Sequence, residues 1–159
     1  MKILVICSGN ICRSPMVEAY LRHRLNRSGL SHVVVSSAGT LEIAGVRAST
    51  EAIEAMAEID IDLKTHRSRG LSAADVRSSD WIIAMDWRHL ETLSERYPDG
   101  RERRVLLRAF ETGPEPAEDP PDLDDPVGLQ LGVFRKQREV IRACVDHFVL
   151  HLKHEALPS

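Results

Sequence analysis

Aromatic residues and cysteine are both scarce in this chain of 159 residues. Phe, Trp and Tyr together make up 4% of it, so a core must be built from Val, Ile, Leu and Ala. The three cysteines lack the spacing of a disulfide framework, and an odd count of free thiols suits a reducing compartment. We therefore expect a cytoplasmic protein.

Long apolar runs and an excess of one charge are missing as well. No stretch approaches 18 apolar residues and the N-terminal run is too short for a signal peptide, so we expect no membrane insertion. A net charge of −3 lacks the basic excess of nucleic-acid-binding proteins, and we expect no nucleic-acid partner. With 43% hydrophobic and 28% charged residues, the composition is typical of one globular domain over residues 1–159.

Short β-branched runs alternate along the chain with helical patterns. The runs predict strands at Lys2–Ile6, His32–Ser36, Trp81–Met85 and Val105–Leu107. The helical patterns predict helices at Pro15–Ser28, Ser49–Glu58, Ala73–Arg77, Asp86–Arg96 and Leu129–Lys153. Strands interleaved with helices indicate parallel pairing in an α/β sandwich, whose ligands bind at the carboxyl ends of the strands. Cys7 falls at such an end.

The nine residues C-S-G-N-I-C-R-S-P, from Cys7 to Pro15, directly follow the first predicted strand. A tight loop that ends at a helix N-terminus points backbone N–H groups and the positive end of the helix dipole at an anion. Arg13 can hold two oxygens of a tetrahedral oxyanion, and these positive surroundings favour the thiolate of Cys7. The loop therefore predicts in-line attack of sulfur on phosphorus. Ser14 is expected to be the N-cap of the helix that Pro15 begins.

One long irregular segment, Glu111–Gly128, is rich in proline and acidic residues. A loop of this length within a compact domain is usually functional. The leaving group of a phosphoryl transfer needs a proton, and the Cys7 loop has no residue that can supply it. The candidate acids in the irregular segment are Asp119, Asp122, Asp124 and Asp125.

Five motifs follow one another along the chain: the cysteine loop, S-A-G-T at Ser37–Thr40, T-H-R-S-R at Thr65–Arg69, A-M-D at Ala84–Asp86 and D-P at Asp125–Pro126. In content and order they resemble the low-molecular-weight protein tyrosine phosphatases over nearly the whole chain. The resemblance implies an α/β three-layer sandwich with a four-stranded parallel sheet, the flavodoxin-like phosphatase fold. It also implies a protein tyrosine phosphatase that forms a phosphocysteine intermediate, needs no metal or other cofactor, acts on phosphorylated proteins and releases inorganic phosphate.

The resemblance also implies roles for individual residues. Cys7 would be the nucleophile, Arg13 would hold the phosphate, and Asp125 would be the general acid because the family's aromatic on the final helix matches Phe134. The Ser14 hydroxyl would bond the cysteine sulfur. The rest of the phosphate-binding loop would comprise Ser8, Gly9, Asn10, Ile11 and Cys12.

Two further expectations come from the same resemblance, and a third comes from the sequence pattern around Cys144. Asn10 would adopt a left-handed backbone conformation, held in place by Ser37 and His66. Cys12 would form a reversible disulfide with Cys7 that shields the nucleophile from irreversible oxidation. Cys144, within an apolar helical pattern, is expected to be buried and inert.

The walls of the expected crevice depart from the family pattern. Most members carry aromatics directly after the Asp-Pro pair, where this chain has Val127 and Gly128. The opposite wall, around Ile43, is aliphatic too, so the specificity walls would be Ile11, Ile43 and Val127.

Three alternatives stay open. The protein arginine phosphatase branch of the family resembles this chain around the Asp-Pro pair, although that branch tends to carry Thr where this chain has Ile11. A thiol-dependent arsenate reductase would need a redox cysteine pair between Cys12 and Cys144, and none is present. A non-catalytic phosphate-binding module is the third alternative.

Overall fold

The sheet consists of four parallel strands in a computed structural model that describes residues 1–156. The strands are β1 (Lys2–Cys7), β2 (Val34–Gly39), β3 (Trp81–Ala84) and β4 (Arg104–Leu106), in the order β2-β1-β3-β4. This is the order of flavodoxin-like sheets, in which the chain reverses its direction of progress between β1 and β3. The fold predicted from the sequence is confirmed.

Helices cover both faces of this sheet. They are α1 (Arg13–Arg27), α2 (Thr50–Ala57), α3 (Ala73–Ser78), α4 (Trp87–Arg96) and α5 (Leu131–Ala156), with 3₁₀ turns at Arg101–Arg103 and Leu107–Phe110. β1 is buried from Ile3 to Cys7, which explains its unbroken apolar run. Ile3 and Val5 pack with α1, α2 and α5, whereas Leu4 and Ile6 pack with α3 and α4. Successive side chains of one strand thus supply the cores of both outer layers.

The predicted elements all occur, with ends that shift by a few residues. The largest strand shift is in β2, which starts at Val34 and continues to Gly39, because its last residues pair with the end of β1. In the described part of the chain, no helix combines the length and apolarity that crossing a bilayer requires.

The expectation that Ser14 caps α1 is wrong. The helix begins at Arg13, and Cys12 precedes it without a side-chain capping bond. Ser14 is therefore within the first turn, where it is fully buried and its hydroxyl faces Asn10 and Cys7. A hydroxyl engaged with these two groups has no role at the helix N-terminus.

Candidate active site

The loop between β1 and α1 forms a cradle at the carboxyl end of the sheet. Its backbone is tied to the end of β2, since the N–H groups of Thr40 and Leu41 donate to the carbonyls of Cys7 and Ser8, both at 3.0 Å. Gly39 is required at this contact, because a Cβ there would lie 2.6 Å from the Ser8 carbonyl oxygen. The S-A-G-T motif therefore lets β2 approach the loop closely enough to hold it.

The sulfur of Cys7 accepts hydrogen bonds from two sides. The Asn10 N–H donates to it at 3.3 Å, and the Ser14 oxygen lies 3.0 Å away. Because Ser14 Oγ accepts a hydrogen bond from Asn10 Nδ2 at 2.8 Å, its own proton is free to donate to the sulfur. Two hydrogen-bond donors therefore converge on this buried sulfur.

Asn10 organises this loop from within. It is buried and left-handed, with φ of 57°, as the resemblance implies. Its side-chain nitrogen also donates to Ser37 Oγ at 2.9 Å, and its backbone oxygen accepts from His66 Nε2 at 2.8 Å. The Arg69 N–H donates to its side-chain oxygen at 3.0 Å, which determines the orientation of the amide.

Glu18 extends this chain of hydrogen bonds toward the surface. Its carboxylate accepts from the Ser37 hydroxyl, so a continuous path runs from Glu18 through Ser37, Asn10 and Ser14 to the sulfur of Cys7. Neither Glu18 nor Arg69 was expected from the sequence. A helix carboxylate and a backbone amide carry no local signal of such a role.

Arg13 is 1% exposed, and its guanidinium is held from behind. Nη1 donates to Asp86 and to the backbone oxygen of Leu123, both at 2.8 Å. Burial alone raises the pKa of Asp86, but the Arg13 hydrogen bond and nearby positive groups outweigh it and place that pKa below its usual value. Asp86 therefore stays ionised and orients the other edge of Arg13 toward the crevice. The sequence contained a sign of this in A-M-D, an acidic residue directly after a buried strand.

Asp125 lies across the same crevice. Its carboxylate is 3.6 Å from Arg13 Nη2, and 35% of its side chain is exposed. The crevice has a volume of about 170 Å³ and is lined by Cys7, Ser8, Gly9, Ile11, Cys12, Arg13, Leu41, Ile43, Asp125 and Val127. Asp119 and Asp122 line a different cavity, beside Trp87 and Leu90. Of the two Asp-Pro pairs in the chain, the fold brings the second to the cysteine.

The three cysteines are free and buried, in different surroundings. Cys12 lines the crevice and its thiol donates to Ser49 Oγ at 3.5 Å. Burial raises the pKa of the Cys12 thiol. Cys144 is on α5, where burial raises its pKa to about 12, so it stays protonated.

The contact between His89 and Ser8 was not expected from the sequence. His89, on α4, is 2% exposed and its Nε2 lies 3.0 Å from the Ser8 hydroxyl oxygen. The backbone N–H of Asp86 donates to its Nδ1 at 3.1 Å. In sequence, His89 is an isolated histidine on an amphipathic helix and carries no visible sign of the contact.

Comparison with known proteins agrees with this arrangement. The family model for low molecular weight phosphotyrosine protein phosphatase matches residues 2–157. The chain is 34% identical to a probable low molecular weight protein-tyrosine-phosphatase, EpsP, of Ralstonia nicotianae over 95% of each chain. It is 30% identical to a protein-arginine-phosphatase of Bacillus subtilis over 98% of this chain and 99% of that protein.

A solved structure extends the likeness to three dimensions. A mutant of the arginine phosphatase YwlE with a phosphorylated active-site serine superposes with a TM-score of 0.89, at 28% identity and over 98% of each chain. The match of the family model, the relatives and the fold, together with the cysteine cradle, shows that this chain belongs to the low molecular weight phosphotyrosine protein phosphatase family.

Proposed function

We propose that the protein is a cysteine-dependent protein tyrosine phosphatase, which hydrolyses phosphomonoesters through a phosphocysteine intermediate. The observation that carries this proposal is the convergence of Cys7, Arg13 and Asp125 on one crevice. A sulfur nucleophile, an oxyanion clamp and a carboxyl group are the three groups that the reaction needs.

Each group has a distinct part in the first step. The Cys7 thiolate attacks phosphorus, forming the P–S bond as the bond to the leaving oxygen breaks. Arg13 holds two phosphoryl oxygens, and Asp125 gives its proton to the leaving oxygen. In the second step the Asp125 carboxylate takes a proton from water, which attacks phosphorus, breaks the P–S bond and releases inorganic phosphate. The Ser14 hydroxyl stabilises the thiolate that leaves.

The shape of the crevice supports phosphotyrosine over phosphoserine. Cys7 lies at its base, 2% exposed, and the apolar side chains of Ile11, Ile43 and Val127 form its walls. A tyrosyl ring spans this depth with its phosphate at the sulfur, whereas a seryl side chain is too short. Because no aromatic wall stacks on the ring, a contribution of about 0.5–1.5 kcal/mol is missing, and discrimination among tyrosine peptides should be modest.

Phosphoarginine is the second candidate substrate. The likeness to the Bacillus subtilis protein-arginine-phosphatase covers nearly the whole chain and favours it. Ile11 disfavours phosphoarginine as a substrate, because an aliphatic side chain in the crevice offers a guanidinium no hydrogen-bond partner.

A side-by-side comparison of kcat/KM for phosphotyrosine, phosphoserine and phosphoarginine peptides tests the proposal, with Cys7→Ser as the inactive control. We expect the order tyrosine, then arginine, then serine, and full activity in EDTA. Ile11→Thr should move the preference toward phosphoarginine, whereas Val127→Tyr should improve KM for aryl phosphates by a factor of about 2–5. If the wild-type protein prefers phosphoarginine, the proposed substrate is wrong, whereas the thiolate mechanism still holds. Phosphate binding without turnover of any substrate would instead indicate a non-catalytic module.

We also propose that the protein is cytoplasmic. Three free cysteines, one of them a nucleophile, remain reduced there. Fractionation of cells that express the tagged protein tests this location.

A further inference from the structure

Ser8 joins the crevice to a histidine that the proposed mechanism does not use. Ser8 lines the crevice beside Cys7, and its hydroxyl oxygen lies 3.0 Å from Nε2 of His89. His89 reaches this point from α4 and is buried. What this contact can do depends on which atom of the pair carries the proton between them.

The surrounding backbone determines which nitrogen of His89 carries the proton. Nδ1 accepts a hydrogen bond from the N–H of Asp86 at 3.1 Å, so it holds no proton. Burial also lowers the pKa of His89 to about 4, although the Asp86 carboxylate, 3.4 Å from Nδ1, and Asp125 raise it, so the ring is neutral near pH 7. The single proton of the neutral ring is therefore on Nε2, from where it is donated to Ser8 Oγ.

This bond leaves the Ser8 proton free. A serine hydroxyl has one proton and two lone pairs, and here one lone pair is occupied by His89. Across residues 1–156, the Ser8 side chain makes no other hydrogen bond. Since Ser8 also lines the crevice, this proton is available to an anion next to Cys7.

We propose that Ser8 is a substrate-binding residue whose hydroxyl donates a hydrogen bond to a phosphoryl oxygen, and that His89 is the positioning residue that orients it. The inference rests on the proposed function, because the phosphoryl group it binds is that of the substrate or of the product phosphate. It assigns a side chain to an oxyanion that backbone amides and Arg13 would otherwise hold alone.

Binding of inorganic phosphate, measured by titration calorimetry, tests Ser8 without requiring turnover. Ser8→Ala should weaken phosphate about 10-fold or more, as expected for a lost hydrogen bond to a charged group, while Ser8→Thr keeps the hydroxyl and should stay within about 3-fold of wild type. If Ser8→Ala binds phosphate as tightly as wild type, the proposal is overturned.

A double-mutant cycle tests whether His89 acts through Ser8. His89→Leu should weaken phosphate to a similar extent in the wild-type background and have little further effect once Ser8 is alanine. His89→Gln can both accept from the Asp86 N–H and donate to Ser8, and should restore most of the affinity. Equal, additive losses in both backgrounds would show that His89 is only a structural residue.

Nitrogen NMR of the wild-type protein gives an answer even where the leucine variant does not fold. We expect a bare Nδ1 and a protonated Nε2 at His89 at pH 7, and a change in the Nε2 resonance between wild type and Ser8→Ala. A proton on Nδ1 would overturn the positioning role. Because phosphate binding and this tautomer are measured without a substrate, failure of this inference remains distinguishable from failure of the phosphatase activity.

Discussion

Asp125 and Asp119 both precede a proline, but only the first is beside the nucleophile. Asp125 lines the crevice of Cys7, whereas Asp119 lines the cavity beside Trp87. We expect Asp125→Asn to lower kcat by about 10²–10⁴ for esters with poor leaving groups, because their departure depends on a proton. The loss should shrink as the leaving group becomes more acidic, which a series of aryl phosphates measures.

Asp119→Asn is the matched control for this series. It changes the same chemical group at the same kind of Asp-Pro step, and we expect kinetics close to wild type across all leaving groups. If the control shows the leaving-group dependence and Asp125→Asn does not, the acid has been assigned to the wrong residue.

The position of Cys12 leads to a second prediction about a single residue: oxidation of Cys7 should be reversible. Cys7 and Cys12 line the same crevice, so we expect Cys12 to trap a Cys7 sulfenate formed by mild peroxide as a disulfide, with release of water. Thiol reductant should restore activity in the wild type, whereas Cys12→Ser should leave a larger unrecoverable fraction. Since burial raises the pKa of Cys12, the trapping thiolate becomes more abundant as pH rises, and protection should improve between pH 7 and about 9.

Peptide mapping of the oxidised protein separates this role from general thiol damage. Cys144→Ser serves as the control, because that thiol is buried on α5 and stays protonated. Equal recovery in wild type and Cys12→Ser, or a disulfide from Cys7 to Cys144, would contradict the protective role.

At the scale of elements, the contact between the end of β2 and the cysteine loop shapes the site. Gly39→Ala would place a methyl group 2.6 Å from the Ser8 carbonyl oxygen, against backbone that cannot rotate away. We expect the free energy of unfolding to fall by about 1–3 kcal/mol and phosphate binding to weaken, because the loop must shift to admit the methyl group. Denaturant unfolding and phosphate titration measure the two effects.

Gly113→Ala provides the comparison for this element. A methyl group there meets no atom within 4 Å, so stability and phosphate binding should both remain near wild type. A tolerated Gly39→Ala would mean that the loop is held by something other than its close contact with β2.

At the scale of the whole molecule, His89 makes stability depend on pH. Burial lowers its pKa in the folded protein to about 4, while the unfolded chain has the ordinary value of 6.5. Between these values the unfolded state binds a proton that the folded state does not, so acid favours unfolding. The contribution of His89 to the free energy of unfolding should be fully present above pH 6.5 and decrease by roughly 3 kcal/mol as the pH drops to 4.

The depressed pKa of Asp86 acts in the same direction at lower pH, since its ionised form belongs to the folded state. His89→Gln removes the histidine's contribution and keeps Asp86, so its stability curve should be flatter between pH 6.5 and 4. Denaturant midpoints of the wild type and of His89→Gln, measured between pH 6.5 and 4, test this prediction. A wild-type curve no steeper than that of the glutamine variant would contradict a buried, neutral histidine.

Local sequence patterns were sufficient to predict much of the secondary structure and the parallel sheet. The apolar run before Cys7 and the interleaved helical periods predicted the strands, the helices and their parallel pairing, because burial on both faces of a sheet imposes these patterns on each segment. The chemistry of the cysteine loop could also be predicted from the sequence. Cys7, Arg13 and the start of the helix are neighbours along the chain, and their spacing is enough to indicate an anion site beside a nucleophile.

Only the tertiary structure decided which distant residues meet this loop. Asp86 and His89 come from the start of α4, whereas Asp125 comes from the irregular segment before α5, and the fold brings both segments to the loop at the carboxyl ends of the parallel strands. The helix start at Arg13, which the sequence placed two residues later, depends likewise on Ser14 turning inward to the sulfur. Sequence patterns record which residues are buried along one segment, whereas hydrogen bonds between segments depend on the packing of the whole chain.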